Sequence, residues 1–109
     1  MWQLSREFCS EIYAVTNIFP DNEKFGITNQ LRRASVSIPS NIAEGSSRNS
    51  NKDFSRFIEI AIGSAYEIET QLLISTDLKF LGTDKLLVLT QKLETITKMM
   101  TNFRNTLKV

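Results

Sequence analysis

The chain has 109 residues, of which 41% are hydrophobic and 23% are charged, and its formal net charge is +1. This length is enough for one hydrophobic core, so we expect a single domain over residues 1–109. No apolar run approaches the roughly 18 residues that a membrane span requires, and the opening residues MWQLSREF do not resemble a signal peptide. Because Cys9 is the single cysteine, an internal disulfide is excluded, and we expect a cytoplasmic protein without membrane contact.

The first predicted element is a helix from about Trp2 to Ile18. Apolar residues recur along it at the spacing of one helical face: Leu4, Phe8, Ile12, Val15 and Phe19. Pro20, followed by Asp21 and Asn22, predicts a turn that ends this helix.

The second predicted helix begins near Thr28, whose hydroxyl suits the N-cap position. Its apolar face consists of residues spaced three or four apart: Ile27, Leu31, Ala34, Ile38 and Ile42. Pro39 cannot donate a hydrogen bond to the carbonyl of Ser35, so we expect the helix to be kinked near Pro39. Gly45 follows the last periodic residue and is expected to end the helix in the left-handed conformation.

A second, polar stripe lies about a quarter-turn from this apolar face. It consists of Gln30, Arg33, Ser37, Asn41 and Glu44. Short amide and hydroxyl side chains suit half-buried positions where each group finds a hydrogen-bond partner. One interpretation is therefore a polar ladder between packed helices, and the other is a ligand-binding groove. We expect acids of the next helix to complete the ladder. Glu69, among core positions, is expected to pair with Arg33 first and with Gln30 second, and Glu59 and Glu67 compete for Arg33.

Two further helices follow from capping residues and apolar spacing. Ser50 and Asp53 resemble a capping box and predict a third helix from about Asn51, which we expect to continue to near Gly82. Its apolar residues share one broad face: Phe54, Phe57, Ile58, Ala61, Ile62, Ala65, Ile68 and Leu72. Thr83 is expected to cap the fourth helix, whose apolar stripe is Leu86, Leu89, Leu93, Ile96, Met100, Phe103 and Leu107. Four helices with short connections predict an all-α protein, an antiparallel up-and-down four-helix bundle.

Several apolar residues lie off the core stripes and predict a contact between copies of the chain. The candidates on helices two and three are Val36, Pro39, Ala43, Ile60, Gly63 and Ile74. An apolar face on two adjacent helices usually marks an interface. A glycine inside a helix costs about 1 kcal/mol relative to alanine, so we expect a backbone or a bulky side chain to approach Gly63.

The composition argues against an enzyme and against a metal or cofactor site. Histidine, which is the commonest general base and a frequent metal ligand, is absent. One cysteine cannot form a cysteine-rich zinc site, and the four glycines are scattered singly, so no phosphate-binding loop is apparent. We therefore expect no catalytic residue, no metal and no cofactor.

Charge is distributed unevenly along the chain. Residues 24–56 carry six basic and two acidic residues (net +4), and residues 81–109 carry five and two (net +3). Four cations cluster around the connection between helices two and three: Arg32, Arg48, Lys52 and Arg56. Repeated around an oligomer, this cluster would form a basic rim for the phosphates of RNA or DNA. The alternative is a protein–protein adaptor or scaffold without nucleic-acid contact, in which these are ordinary solvated charges.

One long pattern runs through predicted helices two and three: RRASVSIPSNIAEG, then Arg48, then FSRFIEIAIGSAYEIETQL. With this pattern, the chain resembles the 23S rRNA-intervening sequence protein family over about its first three-quarters. The resemblance implies an up-and-down four-helix bundle that assembles with itself as a pentameric ring. It also implies a relation to the accessory protein of diversity-generating retroelements, a basic pentamer that binds nucleic acid and a reverse transcriptase. A nucleic acid and such a protein are therefore expected partners, although for most family members the biochemical role is not established.

Overall fold

The computed structural model describes all 109 residues and consists of four long helices without a β-strand. The helices are α1 (Trp2–Thr16), α2 (Ile27–Ser46), α3 (Asn51–Asp77) and α4 (Thr83–Thr106), and a short 3₁₀ helix, Asp21–Glu23, lies between α1 and α2. The molecule measures 44 × 24 × 19 Å along its principal axes. Its long axis corresponds to the length of α3, since 27 helical residues rise about 40 Å.

The four helices surround a common core, and each has two neighbouring helices. Each helix packs against the next one along the chain, and α4 also packs against α1 through a thinner contact, whereas the backbones of the diagonal pairs stay more than 8 Å apart between Cα atoms. Short connections between long helices reverse the chain direction at each step. The prediction of an all-α four-helix bundle is confirmed, and the contacts between successive helices agree with the predicted antiparallel up-and-down arrangement.

The predicted apolar stripes form one core of 18 buried hydrophobic residues. The buried members from α2 and α4 are Leu31, Ala34, Ile38, Ile42, Leu89, Leu93, Ile96 and Met100. Leu4 is the exception on α1, because its side chain is 41% exposed and lines a groove between α1 and α4. Burial of these stripes supplies the hydrophobic free energy that holds the four helices together.

Helix α3 begins as predicted, but the predicted caps of α2 and α4 are wrong. The hydroxyl of Ser50 accepts a hydrogen bond of 3.1 Å from the backbone N–H of Asp53. Thr28 instead lies inside the first turn of α2 and is buried, and Gly26 takes the N-cap position. Helix α4 begins at Thr83 itself, one residue earlier than predicted, with Gly82 as its N-cap.

Helix α2 does not end at Gly45 but continues to Ser46, and Gly45 does not adopt a left-handed conformation. A Cβ atom at Gly45 would lie 2.8 Å from the Phe54 ring and 2.9 Å from Cβ of Phe57. Close approach of α3 therefore requires glycine at this position, rather than a turn. Helix α2 is continuous through Pro39, and the kink expected there stays a prediction.

Helix α3 ends at Asp77, five residues before the predicted end at Gly82. Lys79 adopts φ = 65°, the left-handed conformation that stops a helix. The N–H of Phe80 bonds to the carbonyl of Ser75 at 2.9 Å, and the N–H of Lys79 bonds to the carbonyl of Thr76 at 3.0 Å. These two bonds are the Schellman pattern, here built on a lysine instead of the usual glycine.

Candidate nucleic-acid interface

The connection between α2 and α3 brings cations to one end of the bundle. Lys52 and Arg56 are exposed, lie one turn apart at the start of α3, and form no ion pair. They line a shallow depression together with Ser55, Glu59 and Val109. The start of α3 also presents unpaired backbone N–H groups and the positive end of the helix dipole, which favour an anion such as phosphate.

The end of α4 adds two cations that the sequence analysis did not include. The rings of Phe54 and Phe103 lie 5.1 Å apart, which places the last turn of α4 beside the first turn of α3. Arg104 is half-buried and Lys108 is exposed, and neither forms an ion pair. These two cations could have been predicted, because residues 81–109 carry a net positive charge and an antiparallel bundle returns the end of α4 to the start of α3. We call Arg48, Lys52, Arg56, Arg104 and Lys108 the basic end.

Arg48 belongs to this end, but its charge is partly engaged. Its guanidinium lies 3.1 Å from the carboxylate of Glu44 and 4.9 Å from the centre of the Phe57 ring. Both partners of the ion pair are about half exposed, so the pair stabilises the fold only weakly. The contacts nevertheless hold the Arg48 side chain against the start of α3.

Arg32 does not lie at the basic end, contrary to the prediction that grouped it with the α2–α3 connection. Its guanidinium donates to the Thr16 hydroxyl at 2.8 Å, to the Asn17 side chain at 3.0 Å and to the Tyr13 carbonyl at 3.4 Å. It also lies 4.7 Å from the centre of the Tyr13 ring. Arg32 therefore fastens α2 to the end of α1, through the side chains of Thr16 and Asn17 and through the Tyr13 carbonyl, which also accepts from the Asn17 N–H.

Arg33, predicted to be half-buried in the polar ladder, is exposed and forms no ion pair. It lines an open depression between α2 and α3 with Gln30, Ser37 and Glu67. The expected pair with Glu69 is wrong because Glu69 is exposed and lines a depression on the α4 side of α3. Of the two adjacent arginines, Arg32 is thus the one held by hydrogen bonds and Arg33 the one left exposed and unpaired.

Only the middle of the predicted polar ladder joins α2 to α3. The hydroxyls of Ser37 and Ser64 lie 2.9 Å apart, and the Asn41 amide donates to the Ser37 hydroxyl at 2.9 Å. The remaining predicted members are exposed: Gln30, Arg33, Glu44, Glu59, Glu67 and Glu69. Among them, Glu67 accepts a bond from Gln71 on its own helix. The ladder is therefore a short hydroxyl–amide cluster in which Ser64 is the member that the sequence analysis missed.

The residues predicted to contact other copies divide into two groups. Val36, Ala43, Ile60, Gly63 and Ile74 are exposed in the single chain. The side chains of Ile60 and Ile74 are 48% and 42% exposed, and no atom of this chain approaches within 4 Å of a Cβ built at Gly63. Pro39 is buried within the bundle, so its assignment to an interface is wrong: it follows Ser35 by four residues, on the side of α2 that faces α1.

The side chains that bind metals in proteins are not gathered anywhere in this structure. No group of three or more histidine, cysteine, aspartate or glutamate residues could hold a metal ion. None of the four helices combines the length and the apolar composition needed to cross a membrane.

Comparison with known families decides the classification. The model of the family described as 23S rRNA-intervening sequence protein matches residues 1–102. The chain belongs to this family. The match extends well into α4, beyond the first three-quarters in which the sequence analysis recognised the resemblance.

A solved structure has the same fold as this family member. It is the crystal structure, at 1.70 Å, of a protein with unknown function from the S23 ribosomal protein family of Bacteroides thetaiotaomicron VPI-5482. The two chains are 24% identical, the alignment covers 96% of this chain and 95% of the other, and the TM-score is 0.89. No curated protein matches the chain.

Proposed function

We propose that the chain is a non-catalytic assembly protein that binds RNA or DNA through its basic end. The observation that carries the proposal is the pair Lys52 and Arg56, exposed and free of ion pairs at a helix N-terminus, with Arg104 and Lys108 beside them. Phosphate oxygens are the groups that such an arrangement attracts, because ammonium, guanidinium and helix N–H groups all donate to anions. The nearby carboxylates of Asp53 and Glu59 form no ion pair with these cations.

The proposal includes self-association, with the pentamer of the resembled family as the expected assembly. Its support is the set of exposed apolar residues on α2 and α3, chiefly Val36, Ile60 and Ile74. A single chain carries a net charge of only +1, which is small for a nucleic-acid-binding protein. An oligomer repeats the basic end in every subunit, and the summed local charge then attracts a polyanion.

The test compares two double variants of the intact protein. Lys52→Gln/Arg56→Gln removes two cations from the basic end, whereas Lys79→Gln/Lys85→Gln removes two from the opposite end. Binding of a labelled RNA is measured over a series of salt concentrations. We expect the first variant to bind more weakly, with a slope of log K against log salt concentration that is shallower by about one for each lost phosphate contact. The second variant should bind like the wild type. Equal behaviour of the two variants would contradict the proposal.

A second candidate is a protein–protein adaptor, and one observation favours it. Ile18 and Phe25, in the connection between α1 and α2, are 78% and 88% exposed. Large apolar side chains exposed to this extent suit contact with another protein. The adaptor is the better account if the intact protein retains neither RNA nor DNA at low salt while Ile18→Ser/Phe25→Ser abolishes capture of a defined partner.

A further inference from the structure

The side of α1 next to α2 carries two aromatic rings, and an arginine lies over each of them. The guanidinium of Arg6 is 5.1 Å from the centre of the Trp2 ring, and that of Arg32 is 4.7 Å from the centre of the Tyr13 ring. The side chains of Trp2 and Tyr13 remain 40% and 42% exposed. We call these four residues the aromatic face.

The aromatic face is separated from the acidic residues of the same helix. Trp2, Arg6 and Tyr13 are spaced four and seven residues apart, so they share one side of α1. Glu7 and Glu11 instead line the groove between α1 and α4, where Glu11 pairs with Lys92. A phosphate backbone that follows the aromatic face therefore meets the guanidinium groups of Arg6 and Arg32. Asp21 lines the same depression as Arg32 but does not pair with it.

The aromatic face leads away from the basic end. Because the bundle is antiparallel, α1 begins at the end where α4 finishes, which is also where α2 connects to α3. Trp2 consequently lies on the basic-end half of the molecule and Tyr13 on the other half. Eleven residues separate the two rings, or about 16 Å along the helix axis, which equals roughly five nucleotides stacked at 3.4 Å.

We propose that the aromatic face stacks the bases of a single-stranded nucleic acid whose phosphates are bound at the basic end. This inference rests on the proposed function and specifies its ligand. Proteins bind single strands by combining a cationic track with aromatic rings on which bases stack, and arginine adds cation–π attraction. The bases of a duplex are already stacked and paired, so a duplex can use the basic end but not the aromatic face.

Trp2 is the single tryptophan of the chain, so its fluorescence reports directly on this face. The intact protein is titrated with a single-stranded oligouridylate and, separately, with an RNA hairpin of the same length. We expect the single strand to quench the emission and the hairpin to leave it unchanged. Trp2→Leu should weaken oligouridylate binding about tenfold, the effect of losing one base stack of about 1.4 kcal/mol, and should not weaken hairpin binding.

Phe25→Leu is the matched control, because Phe25 is also an exposed aromatic residue beside a cation, with Lys24 at 5.9 Å, but lies at the opposite end. It should change neither affinity. The inference is contradicted if the hairpin quenches Trp2 as strongly as the single strand does, or if Trp2→Leu binds oligouridylate like the wild type. It is also contradicted if Trp2→Leu dissociates the oligomer, since the face then joins copies of the chain. In any of these outcomes, RNA binding that still depends on Lys52 and Arg56 would support the proposed function, and only the aromatic-face inference would be contradicted. If neither the oligouridylate nor the hairpin binds, the proposed function and the aromatic-face inference are both contradicted.

Discussion

Arg32 connects α2 to the last turn of α1, whereas Arg33 projects from the neighbouring side of α2 without an ion pair. Hydrogen bonds to charged groups contribute about 1.5–3 kcal/mol each when they are buried and less when they are exposed. We therefore expect Arg32→Met to lower the free energy of unfolding by about 1–2 kcal/mol. Arg33→Met, the matched control, should change it by less than about 0.5 kcal/mol. Urea unfolding of the two variants measures the difference, and an equal loss in both would contradict these roles.

This difference could not be predicted from the residues themselves. Arg32 and Arg33 have the same side chain and differ only by about 100° around α2. Which of them meets α1 depends on the side of α2 that α1 occupies, and this is a property of the bundle. The apolar stripe, in contrast, could be predicted because burial of Leu31, Ile38 and Ile42 requires only the helical period.

The glycines of α2 and α3 provide a second test at the residue scale. A Cβ at Gly45 would lie under 3 Å from Phe54 and Phe57, whereas a Cβ at Gly63 would meet nothing within 4 Å. Gly45→Ala should lower the free energy of unfolding by about 1–3 kcal/mol through overpacking. In the monomer, Gly63→Ala should raise the free energy of unfolding by about 0.5–1 kcal/mol through helix propensity, because no atom of the same chain opposes a Cβ there. Thermal melts compare them, and a stabilising Gly45→Ala would contradict the close approach of α3 to α2.

At the scale of helices, the C-terminus of α3 combines a left-handed conformation with a residue that disfavours it. Lys79 has φ = 65°, which costs a residue with a Cβ roughly 1–2 kcal/mol. Lys79→Gly should therefore raise the free energy of unfolding by about 0.5–1 kcal/mol, because glycine regains part of this cost but loses more entropy on folding. Lys79→Ala keeps the Cβ and should not stabilise. If alanine stabilises as much as glycine, the gain comes from removing a charge instead.

The same terminus shows why helices were predicted better than their ends. Apolar spacing extends across Leu78, Phe80 and Leu81, and no glycine or proline precedes Gly82 to signal a stop. The helix ends earlier because the ring of Phe80 packs against Phe19 at 5.7 Å, a contact between two connections that sequence spacing does not contain. Ser50 and Asp53 could be predicted as a cap because their interaction is local.

At the scale of the whole molecule, the exposed apolar residues of α2 and α3 predict self-association. Ile60→Glu places a carboxylate in the proposed contact, where burial of an unpaired charge is strongly unfavourable. We expect this variant to lose the oligomer while the monomer stays helical. Ile18→Glu, which changes an isoleucine that is 78% exposed in the α1–α2 connection, is the control and should leave the assembly intact. Light scattering and circular dichroism measure the two properties, and a wild-type chain that is monomeric and folded at tens of micromolar would contradict self-association.

The bundle is therefore asymmetric along its axis, with a basic end at the start of α3 and exposed apolar side chains such as Phe25 at the other end. Arg48, Lys52 and Arg56 could be predicted to lie together because they are close in the chain. Arg104 and Lys108 could not be placed from chain proximity, since their position depends on how α4 returns to the start of α3.

We propose that this end binds nucleic-acid phosphates, and the most direct measurement is the affinity of the intact wild-type protein for a labelled single-stranded RNA between about 50 and 200 mM salt. Each phosphate neutralised on a single strand contributes about −0.7 to the slope of log K against log salt concentration. We predict tight retention at the lowest salt and a slope of about −2.8 or steeper, which corresponds to four or more phosphates. No detectable retention of RNA or DNA at about 50 mM salt, or an affinity independent of salt, would contradict the claim.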